Sequence, residues 1–178
     1  MRLFIAIQFT EEIKDSLIDT ITKLKRHTKQ GKFTFKDNLH LTLAFIGETA
    51  KVSAIQQAMN AVNVNDFTLK MSGIGKFKRD GGDIYWIGIN KNQDLVGLQK
   101  QLCQELIDRG FALENREYKP HLTIGREVVV LDDFNVKEFE TTISSMQMNV
   151  NKISLMKSER IYGKLVYTEI YAKELNGM

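Results

Sequence analysis

The chain has 178 residues, 43% hydrophobic and 26% charged, with 25 Lys and Arg against 22 Asp and Glu. That length can bury roughly 70% of the unfolded surface in one domain, and a single cysteine, Cys103, rules out an internal disulfide framework. The net charge of +3 permits a basic groove and excludes a histone-like polycation, while 12 glycines and 1 proline leave no room for a long disordered linker.

Leu3 to Phe9 reads as a buried strand. Its apolar run is too short to span a membrane and leads into Glu11 and Glu12 rather than a cleavage site. A cytoplasmic protein without membrane contact is therefore expected. Thr10 can cap a helix carrying Ile13, Leu17, Ile21 and Leu24 on one stripe, ending before Gly31. Leu39 to Ile46 is the next strand, with His40 and Thr42 on one face and Leu39, Leu41, Leu43 and Phe45 on the other. A helix with Val52, Ile55, Met59 and Val62 follows, then a strand from Phe67 to Met71. Gly73, Gly75, Gly81 and Gly82 mark a turn-rich stretch. Ile84 to Ile89 is a strand containing Trp86, whose place in the alternation reads as core. Asn92 can cap a helix carrying Leu95, Leu98, Leu102 and Leu106, which Gly110 stops. A strand around His121 to Ile124 comes next, then a helical stretch holding Val136, Phe139, Ile143 and Met146. Val150 to Met156 and Leu165 to Ala172 close the chain as strands.

The second half repeats the first at an offset of 81: His40 maps onto His121, Thr42 onto Thr123, and the strand starting at Leu3 onto the one starting at Ile84. Both halves read strand, helix, motif strand, helix, strand. The expected fold is α+β, one two-lobed domain over residues 1–178. The lobes should be related by a pseudo-twofold, each a mainly antiparallel sheet with helices on its outer face, and a cleft between them.

His40-Leu-Thr-Leu43 and His121-Leu-Thr-Ile124 are two copies of His-apolar-Thr-apolar, and they hold two of the three histidines. In a strand each His lies beside its Thr while the apolar pair faces the core. Two imidazoles lining one cleft can work as a pair, one neutral and accepting a proton, the other charged and donating. The threonine hydroxyls can donate hydrogen bonds to the oxygens of a bound anion. This set suits in-line displacement at phosphorus. A structural role for each His is the bland alternative, and its recurrence in both copies argues against it. A metal site is the other rival, but no HExxH, no cysteine pair and no His-X-His supplies further ligands. Neither metal nor cofactor is expected.

These motifs, with Arg2-Leu-Phe-Ile-Ala-Ile7, Asn38 to Glu48, Gly73-Ile-Gly-Lys-Phe77, Gly110 to Arg126 and Leu155-Met-Lys-Ser-Glu159, resemble the two-histidine phosphoesterase superfamily over nearly the whole chain. Within it the chain resembles the bacterial and archaeal RNA 2′,3′-cyclic phosphodiesterases, also called the 2′-5′ RNA ligase family. The resemblance implies metal-independent opening of RNA 2′,3′-cyclic phosphate ends to a 2′-phosphate, with reversible 2′-5′ ligation. It implies that His40 is the proton donor, His121 the acceptor, and Thr42 and Thr123 the phosphate-binding groups; symmetry alone does not separate the two histidines. The expected partner is RNA with cyclic phosphate ends, tRNA halves included, and the expected state a monomer. One departure is that the family often has a Trp before the first motif, where this chain has Phe33 and Phe35.

Arg126 matches a family arginine, but strict alternation turns it away from His121 unless the strand bulges or ends at Gly125. Lys76, Lys78 and Arg79 surround Phe77, and Lys157, Arg160 and Lys164 surround Tyr162. Such interleaving suits single-stranded RNA, with base stacking expected among Phe33, Phe35, Phe77, Tyr118 and Tyr162. Two alternatives stand beside this reading: a cyclic phosphodiesterase for a small nucleotide or ADP-ribose cyclic phosphate, and a non-catalytic RNA-binding module.

Overall fold

Five consecutive buried residues, Leu3–Ile7, make the first strand, β1 (Arg2–Gln8), a central one, because a strand covered on one side alone would alternate. A computed structural model describes residues 1–177. The Thr10 hydroxyl accepts from the Ile13 amide at 3.3 Å and starts helix α1 (Glu11–Lys25). Then come β2 (Thr28–Phe33), a 3-10 turn at Lys36–Asn38, β3 (His40–Glu48), α2 (Val52–Ala61) and β4 (Phe67–Phe77). The second half runs β5 (Asp83–Ile89), α3 (Gln93–Asp108), β6 (His121–Val130), α4 (Val136–Glu140), β7 (Met146–Val150), β8 (Lys152–Ile161) and β9 (Lys164–Glu174).

The strands form two antiparallel sheets, ordered β3-β1-β8-β9 and β2-β6-β5-β4-β7. Each sheet draws on both halves of the sequence. β8, from the second half, pairs with β1, while β4, from the first, pairs with β5. The halves thus exchange their closing strands, so the sheets are not the two sequence repeats laid side by side.

Three local readings need correction. β2 is unexpected; it joins an edge of the second sheet by pairing with β6, from Thr28↔Val130 to Phe33↔Gly125. The helix at Val136 ends at Glu140 rather than continuing through Met146. Past its end, the Thr141 and Thr142 hydroxyls bond back to the Glu138 and Phe139 carbonyls, and Met146 opens β7 against β4. The stretch after Met71 continues as strand to Phe77, because the Gly73 irregularity, at φ 75, is absorbed as a register shift.

One core lies beneath both sheets. It joins Leu3, Ile5, Leu41 and Leu155 of the first to Leu69, Ile87, Leu122 and Ile124 of the second, with Leu17 and Leu24 of α1 and Leu98 and Leu102 of α3. Each such side chain contributes about 1.5–3 kcal/mol on burial. On the other face of the first sheet the buried hydrophobic residues are Phe4, Ala6 and Met156, a small separate cluster against Tyr167. That lightly covered face carries His40 and Thr42. No helix among the described residues is long and apolar enough to cross a membrane.

Candidate active site

His40 and Thr42 stand half-buried on β3 with Leu41 and Leu43 fully covered between them, and His121, Leu122, Thr123 and Ile124 repeat the pattern on β6. His40 is opposite Gln8 of β1 and His121 opposite Gly88 of β5. Each imidazole is held in the same way. His40 Nδ1 lies 2.7 Å from the Asn38 carbonyl, and His121 Nδ1 lies 2.7 Å from the Lys119 carbonyl. A carbonyl only accepts, so Nδ1 carries the proton in both rings. Nε2 is left as the nitrogen that takes up or releases one. His40 Nε2 is 2.9 Å from the Thr42 hydroxyl, which serves either protonation state of the ring.

Aromatic rings set the position of each imidazole. Phe4 and Tyr167 lie 4.9 Å and 5.2 Å from the His40 ring, and Phe77 and Trp86 lie 4.9 Å and 6.4 Å from the His121 ring. Burial lowers the pKa of His40 from its ordinary 6.5; the Asn38 carbonyl opposes this and the Arg126 charge adds to it. The neutral ring is thereby favoured near pH 7.

The two motif strands are cross-tied. Tyr118, three residues before His121, donates its hydroxyl to the Thr42 carbonyl at 2.9 Å. Thr34, six residues before His40, donates its hydroxyl to the Thr123 carbonyl at 3.1 Å, and its amide bonds the Ile124 carbonyl at 3.0 Å.

Arg126 reaches the cleft through a bulge. Trp86 pairs with Thr123 and Tyr85 with Gly125, so β6 carries one extra residue there. Gly125 then falls on the buried side, and Arg126 on the side of His121 and Thr123. β3 bulges in the same way: Ala6 pairs with Thr42 and Ile5 with Ala44, which turns Phe45 outward. Phe45 therefore occupies in the first sheet the place that Arg126 occupies in the second.

The expected base-stacking rings separate. Phe77 stands edge-on to His121. Phe35 is 61% exposed beneath the Lys164 ammonium, 5.1 Å from its centroid, and Tyr162 is fully exposed at the β8–β9 turn. Phe33 is on the far edge, close to Gly31 and Gly125 with Lys25 above its ring. Tyr118 packs against the core with its hydroxyl engaged, and burial raises its pKa. Sequence reasoning missed Phe4, Trp86 and Tyr167 as neighbours of the histidines. Trp86 pairs with Thr123 on the cleft face and is not among the buried core residues. For Phe4 a signal existed, since it alternates with Leu3 and Ile5. Among the described residues no group of three or more His, Cys, Asp or Glu side chains is placed to hold a metal ion.

The family described as the 2′-5′ RNA ligase superfamily matches residues 13–161. An RNA 2′,3′-cyclic phosphodiesterase of Thermotoga maritima is 28% identical, across 99% of this chain and 97% of its own. One from Methanocaldococcus jannaschii is 36% identical across 71% of each chain. Among solved structures, Escherichia coli LigT in apo form superposes with a TM-score of 0.81 at 25% identity, covering 98% of this chain and 97% of that one. LigT complexed with 3′-AMP gives 0.81 at 26% identity over the same shares.

Proposed function

The chain belongs to the 2′-5′ RNA ligase superfamily, and we propose that within it this protein is an RNA 2′,3′-cyclic phosphodiesterase working by paired-imidazole acid–base catalysis. The observation that carries the reading is the matched tethering of His40 and His121. Each Nδ1 is spent on a backbone carbonyl two residues upstream, and each Nε2 is left for proton transfer. A merely structural histidine has no need of that arrangement twice. The relatives named above supply the substrate class.

His121 Nε2 takes a proton from water as the water oxygen attacks phosphorus. His40 Nε2 gives a proton to the 3′ oxygen as its bond to phosphorus breaks, and the phosphate stays on the 2′ oxygen. Thr42, Thr123 and Arg126 hold the non-bridging oxygens, where their hydrogen bonds strengthen as charge develops. With a 5′-hydroxyl of a second RNA in place of water, the same step forms a 2′-5′ linkage. The lowered pKa of His40 bears on its role as donor. The ring is favoured as neutral in the free protein, and the negative charge of a bound phosphate beside it favours the imidazolium. The protein is taken to act alone, as a cytoplasmic monomer on RNA ends such as tRNA halves, with no metal in the chemical step.

Incubating an oligonucleotide 2′,3′-cyclic phosphate with the protein in EDTA tests the reading. Turnover to a 2′-phosphate supports it. Loss of turnover, restored by one added metal, overturns it.

A further inference from the structure

The cleft face of the first sheet continues past His40 in cross-strand rows. Phe4 and Met156 are opposite each other on β1 and β8, and in the next row Arg2 is opposite Ser158, itself opposite Tyr167 of β9. Side chains two apart on one strand share a face, so Arg160 follows Met156 and Ser158 onto it. The Arg2 guanidinium lies 5.1 Å over the ring of Phe45, the residue that stands where Arg126 stands in the other sheet. Arg160 gives one N–H to the Gly163 carbonyl at 3.1 Å.

Neither guanidinium is neutralised. Glu48, the register partner of Arg2 on β3, pairs with the N-terminal ammonium at 3.4 Å. Glu159, beside Arg160, pairs with Lys157 at 3.3 Å. Among the described residues the arginines in ion pairs are Arg109 and Arg116, both elsewhere. The charges of Arg126, Arg2 and Arg160 all act on the Tyr167 hydroxyl against the rise that burial causes there. Tyr167 in turn touches His40. Arginines that make no ion pair, on a face where an aromatic ring already fixes one of them, are arranged for an anion.

We propose that Arg2, in the row of Ser158 and Tyr167 next to that of Phe4, and Arg160, one row further along β8, form a second anion site that holds the phosphodiester next to the reacting cyclic phosphate. Successive residues on one strand face are about 6.6 Å apart, so Arg2 is one such step beyond Phe4, whose ring lies 4.9 Å from that of His40. The site rests on the cyclic phosphodiesterase activity proposed above and deepens it. It selects RNA chains over mononucleotides by charge, without reading a base.

The test compares a dinucleotide ending in a 2′,3′-cyclic phosphate with the matching mononucleotide, and with a dinucleotide whose internal linkage is a neutral methylphosphonate. In the wild-type protein the charged linkage should raise kcat/KM on the order of tenfold over the neutral one. Arg2→Gln with Arg160→Gln should remove that advantage. The salt slope for the charged dinucleotide should then become shallower by about 0.7 for each phosphate charge no longer neutralised. Equal turnover of the charged and neutral dinucleotides by the wild type overturns the site without requiring a variant to fold. So does a charge advantage that survives in the double variant. No turnover of any cyclic phosphate by the wild type overturns instead the activity on which the site rests.

Discussion

Tyr118 donates its hydroxyl to the Thr42 carbonyl at 2.9 Å, fastening the approach to the second histidine strand onto the first. Thr34 returns the tie from the other side, at the Thr123 carbonyl. The two motifs thus sit on separate sheets yet are joined by hydrogen bonds at the threonines that flank the reacting phosphate in the proposed mechanism.

Tyr118→Phe removes one tie and leaves a part-buried carbonyl without that partner. The expected cost is on the order of 1 kcal/mol in urea-induced unfolding, from losing one hydrogen bond of this kind. kcat should fall more than KM rises, because the Thr42 position shifts while the rest of the binding face is intact. Wild-type stability and kcat in this variant would show the tie to be idle.

His40→Ala or His121→Ala should each lower the rate on the order of 10²–10⁴. The double variant should lose less than the product of the two, because the imidazoles act as one unit. Single-turnover measurements on a cyclic-phosphate oligonucleotide read all three. Additive losses would mean that the rings work independently.

How much of this was legible differs from residue to residue. The period of two in His40-Leu-Thr-Leu43 and His121-Leu-Thr-Ile124 was enough to put each His beside its Thr and the leucines inside, and the structure has them so. Helices α1 and α3 followed from their apolar stripes and caps, and α2 from its stripe alone. What alternation cannot reveal is its own interruption. Arg126 faces the cleft because one extra residue enters β6 at Ile124–Gly125, and nothing in the local pattern marks that bulge except the glycine. The exchange of β4 and β8 was equally hidden, since hydrophobic periodicity identifies a strand but not its partner. β2, with its polar Thr28-Lys-Gln-Gly-Lys, carries no apolar alternation because it is an edge strand exposed along its length.

The charge of Arg126 has a measurable effect on His40. Burial and Arg126 lower the His40 pKa below 6.5 in the free protein. One of the two limbs of the bell-shaped kcat/KM profile therefore lies below 6.5, since that profile reports the free enzyme. Arg126→Gln removes the cation, so the limb should move upward even as phosphate binding weakens. Both limbs above 6.5 in the wild type would contradict the lowered pKa of His40.

The same lowered pKa links to stability. Neutral in the fold and easier to protonate when unfolded, His40 contributes its full share above about 6.5. That share is lost as pH falls through the lower folded value. Urea unfolding of the wild type and His40→Gln should therefore diverge above pH 6.5 and converge below it. Parallel curves across that range would contradict the assignment.

Leaving-group chemistry separates donor from acceptor. A cyclic phosphate with sulfur in place of the 3′ oxygen releases a thiolate, which needs little protonation. It should restore most of the rate lost in His40→Ala and little of that lost in His121→Ala. Rescue of His121→Ala alone would exchange their roles.

The most direct measurement is the phosphorus NMR spectrum of the product formed from an oligonucleotide 2′,3′-cyclic phosphate in EDTA, run beside His40→Ala and His121→Ala. The paired-imidazole account predicts a 2′-phosphate from the wild-type protein and almost none from either variant. A 3′-phosphate product, or wild-type turnover in either variant, would contradict it.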